Sequence, residues 1–162
     1  PDAQVVRTMP NLGYTVGSSV TGVYFDTATE WTNERTESVR HLLSTGGSVI
    51  DVANEDQLNA ITAAAGSGPA YFYWFSEQIS ESAKKLGFSD EEADQISRDV
   101  FIGAAKLLEA NPGTSLKEFR ERVTSKGGTT EAALEVFSES DVNEVVQKAL
   151  EAARDRSREL SV

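Results

Sequence analysis

The sequence predicts an α+β protein with a small strand-containing region followed by a larger, all-helical one. Three short runs rich in β-branched residues occupy positions 3–9, 19–25 and 47–52, and Gly, Pro, Asn or Asp bounds each of them, as is typical of strands. From Glu55 onward the apolar spacing becomes that of helices and stays so. Hydrophobic residues make up 39% of the chain, with no run near the roughly 18 to 20 apolar residues of a membrane span.

The segment between the second and third strands, ATEWTNERTESVRHLLSTGG, predicts a helix that ends at two glycines. Its large apolar side chains fall roughly on one helical face: Trp31, Val39, Leu42 and Leu43. The later helices are predicted over residues 55–65, 68–86, 89–110, 115–124, 129–138 and 141–160. Ser89 is the clearest start, because it is a favoured N-cap followed by three acidic residues in the first turn.

The segment AYFYWF at 70–75 places five aromatic residues in a row within a predicted helix. Successive helical residues project about 100° apart, so these rings point to every side and the helix must be enclosed. A second copy of the chain could cover it, which predicts an obligate oligomer. A central core helix within one subunit is the alternative.

Composition excludes several kinds of function. The chain has no cysteine, so it has no disulfide or thiolate chemistry and no sulfur-ligated metal, and its redox compartment cannot be inferred. The formal net charge of −11 argues against a nucleic-acid partner. The single histidine, His41, lies on the predicted amphipathic helix and is interpreted as a surface or packing residue, with no metal or triad partner. We expect a soluble, cytoplasmic protein that binds no membrane.

Two glycine-containing stretches could carry chemistry. In AAAGSGPAY (63–71), Gly66 and Gly68 flank Ser67 ahead of a helix, where they permit either close packing or approach of a ligand or partner helix. In TSKGGTTEAAL (124–134), glycines and hydroxyl side chains precede a helical pattern. Unpaired N–H groups at such a helix start could bind a carboxylate, and a plain Ser or Thr N-cap is the alternative.

Two further positions are weaker candidates. The run VVRTMPN (5–11) ends a predicted strand at Pro10 and Asn11, and ligands of open α/β sheets gather at the carboxyl ends of strands. Glu55 and Asp56 open the first later helix, where acidic residues favour the helix dipole. From the residues alone, the simplest interpretation of Pro10 and Asn11 is a turn. That of Glu55 and Asp56 is the capping of a helix.

Together these stretches resemble one family. AAAGSGPAY, IGAAKLL (102–108), VTSKGGTTEAALEVF (123–137) and the late EAARDRSREL closely resemble the carboxyl-terminal half of pyrroline-5-carboxylate reductase, and VVRTMPN, STGGSVIDV and EDQLNAITA follow in the family's order. The resemblance implies reduction of 1-pyrroline-5-carboxylate to L-proline by NADPH or NADH, the last step of proline biosynthesis. It also implies a Rossmann-type domain, of which residues 1–52 would be the carboxyl-terminal remnant, followed by an all-helical dimerisation and substrate-binding domain over 53–162.

The resemblance further implies a homodimer, in some members five dimers forming a decamer, with the active site at the dimer interface. Its substrate-binding residues would be Glu55, Ser125, Gly127, Gly128, Thr129 and Thr130. Backbone N–H groups of the loop would bind the substrate carboxylate, and Thr130, the catalytic candidate, would reach the ring nitrogen. Pro10 and Asn11 would contact the coenzyme.

The sequence departs from the family pattern in three places. Lys126 stands where Pro is common, which predicts a less rigid loop with an added positive charge, and LGY (12–14) stands where Thr-Pro-Ala is common. The family's glycine-rich phosphate loop does not occur in this sequence, and the chain does not begin with Met. We therefore expect a fragment that is inactive by itself.

Two alternatives remain open at this point. One is a non-catalytic helical dimerisation module, which the missing phosphate loop favours. The other is a related two-domain dehydrogenase that acts on another small imine or hydroxy acid, which the preserved GGTT block disfavours.

Overall fold

The computed structural model describes residues 4–161 and divides into two compact units. One unit comprises the chain up to Tyr71 together with the part from Gln147 onward, and the other comprises Phe72–Val146. The first unit contains a sheet of three strands: β1 (Val6–Met9), β2 (Ser19–Phe25) and β3 (Gly47–Asp51). All three predicted strands are therefore present, although the predicted start of the first, Ala3, lies outside the described residues.

Strand β2 is the centre of the sheet. It pairs antiparallel with β1, with Val6 opposite Phe25, and parallel with β3, with Ser19 opposite Gly47. Val23 is 0% exposed, and the small hydroxyl residues Ser19 and Thr21 are also buried. Burial of hydroxyl groups is tolerated here because Ser19 and Thr21 are hydrogen-bonded to each other, Oγ to Oγ1, at 3.4 Å.

Helices make up the rest of the chain, as the periodicity predicts. They are α1 (Asn33–Ser44), α2 (Glu55–Ile61), α3 (Gly68–Lys85), α4 (Asp90–Ala110), α5 (Leu116–Arg122), α6 (Thr129–Glu139) and α7 (Val142–Leu160). Most starts follow the expected N-cap chemistry: the side chains of Thr32, Asn54, Ser89 and Ser115 each accept a hydrogen bond from a backbone N–H in the first turn.

The structure corrects the sequence-based boundaries at three points. Trp31 precedes the N-cap of α1 and packs edge-on against Phe25, with ring centroids 4.9 Å apart, so it is not on the helical face. Residues Leu12–Val16 form a 3-10 turn directly after the predicted Pro-Asn turn. The predicted helix 55–65 is α-helical only to Ile61 and continues as a π turn over Thr62–Gly66.

The aromatic run of α3 is exposed within the described chain. Phe72, Tyr73 and Trp74 are 60%, 57% and 60% exposed, and Phe75 is 44% exposed. Ring contacts within the same unit partly cover them, such as Phe72 on Phe101, with centroids 5.9 Å apart. The described residues therefore do not enclose this helix, as a central core helix of the described chain would require.

Candidate functional site

The loop between α5 and α6 is a tight turn. The N–H of Gly128 donates to the carbonyl oxygen of Ser125 at 2.9 Å, which closes a four-residue turn. Gly127, its third residue, has φ 71°, whereas the second residue, Lys126, does not have a positive φ. That combination is the geometry of a type II turn, in which the third position favours glycine and the second is compatible with proline. The turn therefore forms here with lysine at its second position.

Gly128 leaves the start of α6 open. It is the N-cap residue, with extended backbone, and it has no side chain to cap the first turn. A Cβ at this position would lie 2.4 Å from Ser125 Oγ and 2.9 Å from the Ser125 carbonyl oxygen, so the turn requires glycine. Within residues 4–161, no acceptor is found for the backbone N–H groups of Thr129, Thr130 and Glu131. These three donors and the positive end of the helix dipole face the same turn, which is the chemistry that binds an anion.

The remaining polar groups of the loop divide into those that serve the fold and those that have no partner. Thr124 Oγ1 donates to the Arg120 carbonyl oxygen at 2.6 Å, so this hydroxyl ends α5. The hydroxyls of Ser125, Thr129 and Thr130 make no hydrogen bond in the described part of the chain, nor does the exposed Lys126 ammonium. The plain N-cap alternative is therefore wrong, because no Ser or Thr oxygen caps α6.

A residue that the sequence interpretation did not single out completes the loop. Glu131 Oε2 accepts a hydrogen bond from the Gly127 N–H at 2.6 Å. The sequence does contain the signal, because an acidic residue three positions after an N-cap commonly reaches back toward the helix start.

The other candidate residues lie in the first unit. The side chain of Glu55, at the first position of α2, forms an ion pair with Arg7 of β1, and both side chains are about half exposed. Asn54, and not the acidic residues, caps α2, since its side chain accepts from the Gln57 N–H at 2.9 Å. Asp56 accepts from Arg158 Nε at 2.7 Å, and this hydrogen bond is the main cause that raises the pKa of Arg158 above its ordinary value.

Pro10 and Asn11 follow β1 and have different environments. Pro10 is exposed. Asn11 uses its side chain within the fold: Oδ1 accepts from the Gly13 N–H at 2.9 Å, and Nδ2 donates to the Ala65 carbonyl oxygen at 3.1 Å. This amide therefore ties the end of β1 to the π turn.

The described residues do not form a dinucleotide phosphate site. Such a site needs a glycine-rich turn between a parallel strand and the helix that follows it. Neither strand-to-helix connection, at 26–32 and at 52–54, contains glycine. Residues 4–161 thus fit the pyrophosphate of NADPH or NADH poorly.

Gly66 supports packing. A Cβ on it would lie 2.5 Å from the methyl carbon of Met9.

His41 is exposed on α1, as expected of a surface residue. In the part of the chain that the structure covers, no group of three or more His, Cys, Asp or Glu residues is arranged to hold a metal ion. No helix among those residues is long and apolar enough to cross a membrane.

Comparison with known proteins decides the family. Residues 55–160 match the family model described as pyrroline-5-carboxylate reductase dimerisation. The chain belongs to the pyrroline-5-carboxylate reductase family. It is 40% identical over 157 residues to the pyrroline-5-carboxylate reductase of Staphylococcus aureus (strain COL), covering 97% of this chain and 56% of that protein. The Haemophilus influenzae enzyme is 38% identical over 156 residues, covering 96% and 57%. The chain thus spans about half the length of the curated relatives it matches.

Solved structures in this family have the same fold. A pyrroline-5-carboxylate reductase from Coxiella burnetii superposes with a TM-score of 0.89 at 34% identity, covering 98% of this chain and 57% of that one. The Plasmodium falciparum pyrroline carboxylate reductase, solved with NADP bound, gives a TM-score of 0.81 at 22% identity, which concerns the fold alone, and covers 97% and 63%. The predicted fold class, mainly helical with a preceding three-stranded sheet, is confirmed.

Proposed function

We propose that this chain supplies the substrate loop and the dimer interface of a pyrroline-5-carboxylate reductase, which reduces 1-pyrroline-5-carboxylate to L-proline with NADPH or NADH as hydride donor. The observation that carries the proposal is the set of three unpaired N–H groups at the start of α6. They occur in the GGTT block of a chain whose relatives are named for this reaction.

The substrate carboxylate binds at the start of α6. The N–H groups of Thr129, Thr130 and Glu131 have no acceptor in residues 4–161, so they can each donate without first losing a protein hydrogen bond. The helix dipole adds a favourable field for the negative charge. Gly127 and Gly128 present no side chain that would obstruct the approach, and the Ser125 and Thr129 hydroxyls supply further donors at the rim.

Thr130 contacts the reacting end of the substrate. A cyclic imine accepts hydride at carbon more readily when its nitrogen is protonated, and the resulting N–H requires an acceptor. Thr130 Oγ1 has no partner in the described chain and can accept it. The loop thus holds the carboxylate at one point and the ring nitrogen at another, and fixed orientation is the main contribution to the rate.

Residues of the first unit complete the proposal. Glu55, oriented by Arg7, is assigned to the substrate site, and Pro10 and Asn11 to the coenzyme side. For Asn11 this assignment concerns its backbone, because both ends of its amide are already bonded within the fold. Residues 1–52 are assigned to the dinucleotide-binding domain and residues 53–162 to the dimerisation and substrate-binding domain.

A second copy of the chain covers the exposed aromatic side chains of α3. Four adjacent aromatic residues that are each 44% or more exposed form a surface that a stable monomer rarely presents. The match to a dimerisation family over 55–160 supports the same partner. We propose that the protein is a cytoplasmic homodimer and that five such dimers can assemble into a decamer. A molar mass of one chain in dilute solution would contradict this assignment.

The test is turnover by the complete protein in which this chain occurs. With 1-pyrroline-5-carboxylate present, we expect oxidation of NADPH or NADH matched one to one by L-proline, with the product identified by mass spectrometry. A folded dimer that oxidises neither coenzyme would overturn the proposal and favour the second candidate, a non-catalytic dimerisation module. Equal oxidation without the imine would also overturn it.

A further inference from the structure

Glu131 closes the loop before α6 in an unusual way. In α4 and α5 the glutamate three residues after the N-cap serine accepts from the N–H of that serine: Glu92 from Ser89 and Glu118 from Ser115, each at 2.9 Å. In return, each serine hydroxyl accepts from an N–H of the first turn, at 3.3 and 3.2 Å. These are capping boxes, and they consume a first-turn donor.

In α6 the glutamate three residues after the N-cap, Glu131, accepts from the residue before the N-cap instead. The N–H of the N-cap residue Gly128 is already bonded to Ser125, so Glu131 reaches past it to the N–H of Gly127 at 2.6 Å. Because Gly128 has no side chain, no N-cap oxygen accepts a hydrogen bond from the N–H groups of the first turn. The loop is therefore fixed to the helix by a charged acceptor while the N–H groups of Thr129, Thr130 and Glu131 stay open.

We propose that Glu131 is a positioning residue for the anion-binding turn of α6. It holds Gly127 in its left-handed conformation, φ 71°, and so keeps the three open N–H groups aligned on one anion. This inference rests on the proposed function, because the anion in question is the substrate carboxylate.

The loop also carries one positive side chain, that of Lys126. A carboxylate close to an anion site opposes anion binding, but Lys126, with no partner among the described residues, sits next to Gly127 and carries the opposite charge. The formal charge of Lys126 and Glu131 together is zero. We expect the hydrogen bond to Gly127 to account for the role of Glu131, so an uncharged acceptor of the same length should replace it.

The experiment compares three variants in the complete protein: Glu131→Ala, Glu131→Gln and the control Glu135→Ala. Glu135 lies one turn further along α6, is exposed and makes no hydrogen bond within the described residues, so its removal changes the charge alone. We expect Glu131→Ala to raise the KM for 1-pyrroline-5-carboxylate about five- to tenfold, the worth of one hydrogen bond, with kcat within about twofold. Glu131→Gln should restore the KM, and Glu135→Ala should leave both constants near the parent values.

Hydrogen exchange at the Gly127 amide tests the same bond without turnover. It should accelerate in Glu131→Ala and remain slow in Glu131→Gln and Glu135→Ala. An equal fall in kcat and kcat/KM in Glu131→Ala, no rescue by Gln, or unchanged exchange at Gly127 would each overturn the inference. Absence of turnover in the parent protein would instead defeat the proposed function, so the two failures are distinguishable.

Discussion

Individual residues of the loop before α6 show how far local chemistry predicts a site. The two glycines predict an open helix start, and the structure gives each a separate reason: Gly127 has φ 71°, and Gly128 has no room for a Cβ beside Ser125. Lys126 predicts a looser loop than proline would give, yet the turn closes with a 2.9 Å hydrogen bond. The sequence could not show this, because closure depends on the backbone of Ser125 and Gly128 and not on the side chain at the second position.

Thr130 provides the residue-scale prediction. Thr130→Ala in the complete protein should lower kcat by about tenfold, because the ring N–H loses one acceptor in the transition state. Thr130→Ser keeps the hydroxyl and should retain most of the rate. Steady-state kinetics with 1-pyrroline-5-carboxylate measure both. Equal rates for the Ala variant and the parent would remove Thr130 from the reaction.

At the scale of the element, the starts of helices were predicted better than their interiors. Ser89 has the expected capping box with Glu92, because a cap depends on a few adjacent residues. The π turn after α2 was missed: the Ser67 N–H donates to the carbonyl of Thr62, five residues back, at 2.9 Å. The three alanines of TAAAG are good helix formers and give no signal for the wider turn, which arises where the chain packs near Met9 and bonds to Asn11.

The capping box of α4 gives the element-scale prediction. Ser89→Ala should cost about 1 kcal/mol of unfolding free energy at neutral pH, measured by urea denaturation. The control Ser82→Ala, an exposed serine inside α3 without a side-chain hydrogen bond in the described chain, should cost nothing. A cost at Ser82 equal to that at Ser89 would contradict the capping account.

The same pair sets a pH dependence. The Ser89 N–H and hydroxyl donate to Glu92, which lowers the pKa of that carboxyl from its ordinary value of 4.5. A lowered pKa in the folded state means that the stabilisation is present above 4.5 and is lost as the pH falls through the folded value. The difference in stability between parent and Ser89→Ala should therefore shrink in acid. A constant difference down to full protonation of Glu92 would show that the bond from the Ser89 hydroxyl to the Glu92 carboxylate contributes nothing.

At the scale of the whole molecule, a fold that the sequence predicts carries an exposed aromatic surface on α3. The change from short β-branched runs to helical spacing near Glu55 predicts the α+β class, and the three strands and the later helices occur in the expected order. The five consecutive aromatics predict enclosure but not by what, because periodicity does not distinguish a core helix from an interface helix. The described residues do not enclose them, since Phe72 and Trp74 are each 60% exposed.

The central claim is that the open N–H groups at the start of α6 bind the substrate carboxylate. The most direct measurement is the amide chemical shift of Thr129 and Thr130 in ¹⁵N-threonine-labelled complete protein, titrated with L-proline in the presence of oxidised coenzyme. L-Prolinamide, which has the same ring without the carboxylate, is the matched control. We predict saturable shifts at both amides with L-proline and much smaller ones with L-prolinamide. Equal responses to the two ligands, or none while L-proline binds, would contradict the account.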